Sequence, residues 1–318
     1  MHYTTLIKHS SRSTITINNY EFIFFLFFSP LVVMISVVCF GCERVLAEAS
    51  VGFDNNYKIT WGNNHVSTLD GGQTIQLAMD NSSGSGFASK LSYGSGYFRL
   101  RMKLPNKNSA GVVTAFYLRS RGRAHDELDF EFLGDKEGKP YRVQTNVFAN
   151  GGGNREQRIT LWFDATSAYH NYKILWNPYQ VVFFVDHTPI RVFRNKASIG
   201  VNYPTKPMHI EASLWNGDSW ATDGGQTKID WTQAPFAAYF QKFNIDGCAI
   251  GLSSNQKAPD GKNPDCYSSK FWWNNRSKYW RLSSQQQKAY KNVKKNLMYY
   301  DYCSDLPRFP KLPKECPQ

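Results

Sequence analysis

The run His125-Asp126-Glu127-Leu128-Asp129-Phe130-Glu131-Phe132-Leu133-Gly134 alternates acidic and apolar residues with a period of two. Successive side chains of a strand point to opposite faces, so Leu128, Phe130 and Phe132 are expected in a core and Glu127, Asp129 and Glu131 together on the other face. Three acids side by side repel one another, and Glu and Asp are poor strand formers, so a chemical task is expected to need them. Four residues at about 3.3 Å per residue separate the outer Cα atoms by roughly 13 Å. Two Glu side chains leaning inward bring their carboxyl groups to roughly 5 to 7 Å, which overlaps the separation used by retaining glycosidases. In that chemistry one ionised carboxylate attacks the anomeric carbon and a protonated acid assists the leaving oxygen, while Asp129 helps to keep their pKa values apart. The strand by itself leaves an exposed acidic strand or a calcium site open as alternatives.

From about 56 to 245 the chain is a succession of short alternating segments broken by Gly, Asn and Pro, among them Tyr97 to Leu104, Val112 to Leu118, Leu128 to Leu133 and Val143 to Phe148. This predicts an all-β, antiparallel sandwich or jelly roll. Aromatic residues at 15% against charged residues at 19% suit such a sheet-rich domain facing a large apolar or sugar surface. Val181 to Val185 and Ile190 to Phe193 flank Asp186-His187-Thr188-Pro189 as a hairpin. Ser283 and Ser284, followed by Gln286 and Gln287, offer two overlapping capping boxes before Ala289, Val293 and Leu297, which predicts one helix from about 284 to 299. Pro307, Pro310, Pro313 and Pro317 then exclude regular structure. The expected organisation is a leader over 1–49, a β-sandwich over 50–245, and a short helical extension over 246–318 packed on the same domain.

Phe22 to Gly41 is almost wholly apolar and precedes Ala47-Glu48-Ala49, the pattern of a secretory signal cleaved after Ala49. A signal anchor is the alternative. Cys39 and Cys42 leave with the signal, and Cys248, Cys266, Cys303 and Cys316 remain as an even set suited to an oxidising compartment. Of the three possible pairings, the sequence-local one, Cys248 with Cys266 and Cys303 with Cys316, is preferred. Asn81-Ser82-Ser83 and Asn275-Arg276-Ser277 are glycosylation sequons. Residues 1–49 are neutral overall, so the +12 of the chain belongs to the mature part and favours an acidic partner, whether nucleic acid, an anionic membrane or a polyuronate matrix. With no helical Lys/Arg stripe and no known recognition motif, nucleic acid is not expected. No cofactor or metal is expected, nor a stable membrane partner once the signal is removed.

Further motifs carry a resemblance: Ser82-Ser83-Gly84-Ser85-Gly86-Phe87, Ser109-Ala110-Gly111, Thr114-Ala115-Phe116-Tyr117-Leu118, Gly153-Asn154-Arg155-Glu156, Leu161-Trp162-Phe163-Asp164, Leu175-Trp176-Asn177-Pro178, Ser213-Leu214-Trp215-Asn216 and Ala234-Pro235-Phe236. With the acidic strand they make the chain similar to the xyloglucan endotransglucosylase/hydrolases, plant members of glycoside hydrolase family 16. Its end, with Tyr302-Cys303, Arg308-Phe309-Pro310 and Glu315-Cys316, resembles that subfamily's C-terminal extension. The resemblance implies a curved jelly roll with an open substrate cleft, Glu127 as nucleophile, Asp129 as helper and Glu131 as acid/base. It also implies substrate contacts from Gln144, Thr145 and Asn146, from Asn154, Arg155 and Glu156, from Ser219, Trp220 and Gly224, and from Arg308. Xyloglucan polymer and oligosaccharide acceptors are the implied partners, in the cell wall and apoplast. Trp220 is the better stacking candidate, whereas Trp215 and Trp162 are read equally well as core.

Three departures stand out. The family's usual sequon just after the acidic strand is replaced by Asp135-Lys136-Glu137, Ser219 stands where an acid is common, and Asp186-His187 replaces Asp-Gly in the hairpin. The short loop Phe148 to Asn154 resembles the transferase members, so transfer is expected over hydrolysis. Hydrolysis of xyloglucan or mixed-linkage glucan and a non-catalytic wall lectin are the competing expectations.

Overall fold

The computed structural model describes residues 12–17, 20–27, 34–39, 51–250, 264–275 and 277–316. Residues Met1–Ala49 form a unit of their own, in which Arg12–Ile17, Tyr20–Phe27 and Met34–Cys39 make a three-stranded antiparallel sheet. The expected cleavage point after Ala49 lies outside the described residues. Among the described residues no helix is long and apolar enough to cross a membrane.

Ser50–Gln318 is built on two eight-stranded antiparallel sheets. The acidic strand, Glu127–Leu133, lies inside the first sheet, between Val112–Arg119 and Arg142–Phe148. Beyond Val112–Arg119 follow His209–Asn216, Ser85–Ser89 and Tyr57–Trp61, and beyond Arg142–Phe148 follow Gln157–Thr160 and Met298–Asp301. In the second sheet the order is Thr188–Arg194, Gln180–Val185, His170–Trp176, Ser92–Lys103, Phe236–Gln241, Thr74–Met79 and Val66–Leu69, with Asp246–Ile250 also paired to Ser92–Lys103.

The period-two pattern decides how the sheets pack. Leu128, Phe130 and Phe132 are fully buried, and Phe130 and Phe132 meet Phe183 and Tyr172 of the second sheet edge-on at ring distances of 5.1 and 4.5 Å. Burying each such ring stabilises the sandwich by about 1.5–3 kcal/mol and fixes the strand's register, since a slip by one residue would send the acids into the core. The hairpin turn is tighter than the sequence suggests. Pairing begins at Val185 with Thr188, leaving only Asp186 and His187 to turn, and Asp186 takes a positive φ of 51°. Pro189 is accommodated in Thr188–Arg194 because that strand is an edge of the sheet.

The C-terminal helix runs over Ser284–Asn296, shorter than the predicted 284–299. Only the first of the two capping boxes forms: Ser283 Oγ accepts from Gln286 N, and Gln286 Oε1 accepts from Ser283 N. Met298 and Tyr299 leave the helix because Met298–Asp301 joins the edge of the first sheet beside Gln157–Thr160, an outlet for backbone groups that helical periodicity does not reveal. The helix also carries Lys288, Lys291, Lys294 and Lys295 without any acid, so the expectation of no basic helical stripe is corrected. The disulfides Cys248–Cys266 and Cys303–Cys316 form in the sequence-local pairing. Asn81 and Asn275 are both exposed.

Candidate active site

Glu127, Asp129 and Glu131 project from the face of the first sheet opposite the Phe130 side. Cross-strand pairing extends them into rows. Asp129 stands between Tyr117 and Asn146, with Glu211 beyond Tyr117. Glu131 lies in a row that reads Gly86, Ser213, Ala115, Glu131, Gln144, Arg158, Tyr300 across the sheet. The small residues on one side of Glu131 leave a cleft of about 270 Å³ lined by Trp61, Tyr117, Ser213, Trp215 and the three acids, among others. At its far end Trp61, 41% exposed, lies over Gly86, where a β-carbon would stand 2.4 Å from the indole nitrogen. Glycine there lets an indole lie flat on the strand, a surface suited to the apolar face of a sugar ring.

The three acids are held differently. Glu127 Oε2 receives ion-pair contacts from Arg119 Nε and His125 Nε2, each at 3.1 Å. Asp129 is buried at 5% exposure, and its Oδ1 has no partner among the described residues. Burial, then the Glu127 and Glu131 charges beside it, push its pKa well up, and a side-chain hydrogen bond with Glu127 acts in the same direction. A protonated Asp129 therefore donates to Glu127. Glu131 is pushed up to about 7, first by burial and then by the charges of Glu127 and Glu156, against the opposing hydrogen bond from Gln144 and the charge of Arg158. One carboxylate is thus paired with the Arg119 guanidinium and in contact with His125, while its partner keeps a proton near neutrality, the division that a nucleophile and a general acid require.

Gln144 Nε2 donates to Glu131 Oε2 at 2.6 Å, and Arg158 Nε donates to Gln144 Oε1 at 2.7 Å, which fixes the amide's orientation. Arg158 lies over the Tyr300 ring at 5.3 Å. Arg308 reaches the same ring's hydroxyl, and also Glu156 Oε2 at 2.8 Å and Asn154 Oδ1 at 2.8 Å. Asn154, Glu156 and Arg308 are therefore brought together, with Glu156 close enough to act electrostatically on Glu131.

Other expected contacts fall elsewhere. The Thr145 hydroxyl is on the core side, where it accepts from Arg191 Nη1. Arg155 is tied to Glu315 at 2.5 Å and to the carbonyls of Val147 and Gly152. Asn146 Oδ1 accepts from the backbone of Arg155 and Val147, so it shapes the strand end. Ser219 and Gly224 are exposed on the loop that carries half-buried Trp220. That loop is pinned to the end of the acidic strand by Thr222, whose hydroxyl donates to Gly134 O and accepts from Gly111 N. Trp215 lines the cleft and also packs on the buried cluster of Val113, Leu133 and Ala221, whereas Trp162, 43% exposed, lies in a separate groove and is not core. Sequence reasoning passed over Trp61, Arg119, Arg158 and Tyr300. The residue pattern does not mark them, and only strand register reveals them.

A sandwich that sets a half-buried, protonatable Glu and an ion-paired Glu two positions either side of a shared Asp, beneath an exposed indole, is that of an enzyme acting on glycosidic bonds. Residues 53–233 match the model for glycosyl hydrolases family 16, and 267–316 match that for the xyloglucan endo-transglycosylase C-terminus. The chain belongs to glycosyl hydrolases family 16 and, within it, to the xyloglucan endotransglucosylase/hydrolases. It is 54% identical to xyloglucan endotransglucosylase/hydrolase protein 2 of Arabidopsis thaliana over 86% of this chain and 91% of that one. It is 56% identical to the putative protein 1 of the same plant, over 85% and 88%. Among solved structures, a Crh5 transglycosylase in complex with NAG shares the fold at a TM-score of 0.51 and 22% identity, covering 61% of this chain and 79% of that one.

Proposed function

We propose that the protein cuts the β-1,4-glucan backbone of xyloglucan with retention and passes the cut chain to another xyloglucan end. The observation that carries this reading is the opposed electrostatics of Glu127 and Glu131 on one strand face. Glu127 attacks the anomeric carbon, forming a glycosyl–enzyme ester as Glu131 gives its proton to the departing glycan oxygen. Glu131, now ionised, takes the proton of the incoming 4-hydroxyl as that oxygen displaces Glu127. Asp129 donates its hydrogen bond to Glu127 and moderates its nucleophilicity as the ester forms and breaks.

Transfer over hydrolysis is supported by the acceptor side. The loop from Phe148 to Asn154 is short and folded down, with Gly151 N bonded to His125 O and Asn150 N to Asp126 Oδ1, which leaves the Asn154–Glu156–Arg308 cluster open to a second sugar chain. Holding a sugar hydroxyl there raises its effective concentration against water. Synthesis with a secretory signal, release after Ala49 and residence in the cell wall and apoplast complete the proposal, and the basic mature chain suits an acidic wall polysaccharide as a further partner. Proton NMR of the newly made inter-chain linkage checks the stereochemistry. A β-glycosidic bond is expected, and an α bond would rule out Glu127 as nucleophile.

A further inference from the structure

We infer that the C-terminal helix Ser284–Asn296 and the grooves beside it form a binding site for a linear polyuronate, separate from the glucan cleft. Lys288, Lys291, Lys294 and Lys295 occupy about a third of the helix circumference. Among the described residues none of the four makes an ion pair. A groove of about 390 Å³ between the helix and the strand Thr188–Arg194 is lined by Arg191, Arg194, Lys196, Lys291 and Lys294. A second groove of about 470 Å³ shares Lys291 and Lys294 and adds Lys295 and Tyr300.

Of the acids facing these cations Glu315 is ion-paired, whereas Asp301 is held by the backbone and keeps its charge, so the cations outnumber the one free acid. Asp301 Oδ1 accepts from Cys303 N at 3.0 Å, and Glu315 is paired with Arg155. Arg191 points the same way. It is 1% exposed, its Nη1 donates to Thr145 O and Oγ1, and its Nη2 has no partner among the described residues although Arg191 lines the groove. Its fixed positive charge lies beneath the groove floor and adds to the field of the lysines without touching a bound chain. Regularly spaced carboxylates on a stiff saccharide therefore suit a basic helix face backed by a buried Arg. Tyr300, in the second groove, also holds Arg308 at the cleft, so a chain bound on the helix lies next to the acceptor cluster.

This inference deepens the proposed acidic wall partner and uses the exported location to prefer a polyuronate over nucleic acid. The test is calorimetric titration of the mature protein with decagalacturonate at low salt, comparing K291E/K294E with K107E/K139E on the separate Trp162 groove, which shares no lining residue with either helix groove. The helix variant is expected to bind about tenfold more weakly or worse, the control to bind as wild type, and both to keep wild-type transfer on xyloglucan, which certifies their folding. Undiminished binding by K291E/K294E would overturn the site while leaving the acidic partner standing. No binding by wild type would overturn both. Displacement of decagalacturonate by an equal charge concentration of single-stranded DNA would replace the polyuronate with an unselective polyanion face.

Discussion

Gln144 places its amide nitrogen 2.6 Å from Glu131 directly across the strand pair, and Arg158 prevents that amide from turning over. The bond favours the ionised form of Glu131 and opposes the burial that pushes its pKa up to about 7. Replacing Gln144 with Leu should raise that pKa further. Since the acid must be protonated for the first step, the alkaline limb of the kcat/KM profile should move to higher pH. An unmoved limb with lower kcat would mean that Gln144 acts only on substrate.

Glu131→Ala should cost about 10²–10⁴-fold on xyloglucan, where the leaving alcohol needs a proton. With an aryl glycoside whose phenol leaves unaided, formation of the glycosyl–enzyme should be nearly normal in a burst experiment. Equal losses on both substrates would contradict the acid role.

Asp129 is buried between two acids, so its folded-state pKa lies above the unfolded value near 3.8. The folded protein then binds the extra proton, and its stability falls as pH rises above about 4 toward the folded pKa. Asp129→Asn keeps the shape and a donor toward Glu127 while removing this penalty. Its Tm should equal or exceed wild type, with a margin that grows with pH across that window, although activity falls. A Tm deficit that widens as pH rises would reverse the sign of the argument.

Arg308 spans Asn154, Glu156 and Tyr300 from the disulfide-closed tail. Arg308→Ala should raise the acceptor KM by about tenfold to a hundredfold, the scale of a lost charge-assisted hydrogen bond, with little change in donor KM. Reducing Cys303–Cys316 should mimic it in part by loosening the segment. Equal changes in both KM values would remove Arg308 from the acceptor side.

How much of this was legible depended on range. The alternation at 127–132 is local, and it placed the three acids and three core residues together because a strand's geometry allows nothing else. The disulfide pairing and the Ser283 cap were local too. Trp61 over Gly86 and Arg158 behind Gln144 depend on the register between paired strands, and Tyr300 beneath Arg308 on the fold of the proline-rich tail, neither of which the residue pattern by itself encodes. The end of the helix was misplaced for the same reason: Met298 and Tyr299 have a sheet edge waiting for them, and tertiary pairing overrode their helical spacing. Thr145 shows the converse error, a polar residue taken for a ligand that instead satisfies buried Arg191.

Transfer itself is the central claim, and one mixture tests it. The mature protein is incubated with xyloglucan polymer and a labelled xyloglucan oligosaccharide, and both label entering polymer and new reducing ends are followed over time. Label incorporation that clearly outpaces new reducing ends is the predicted result. New reducing ends without incorporation would contradict it and make the protein a hydrolase.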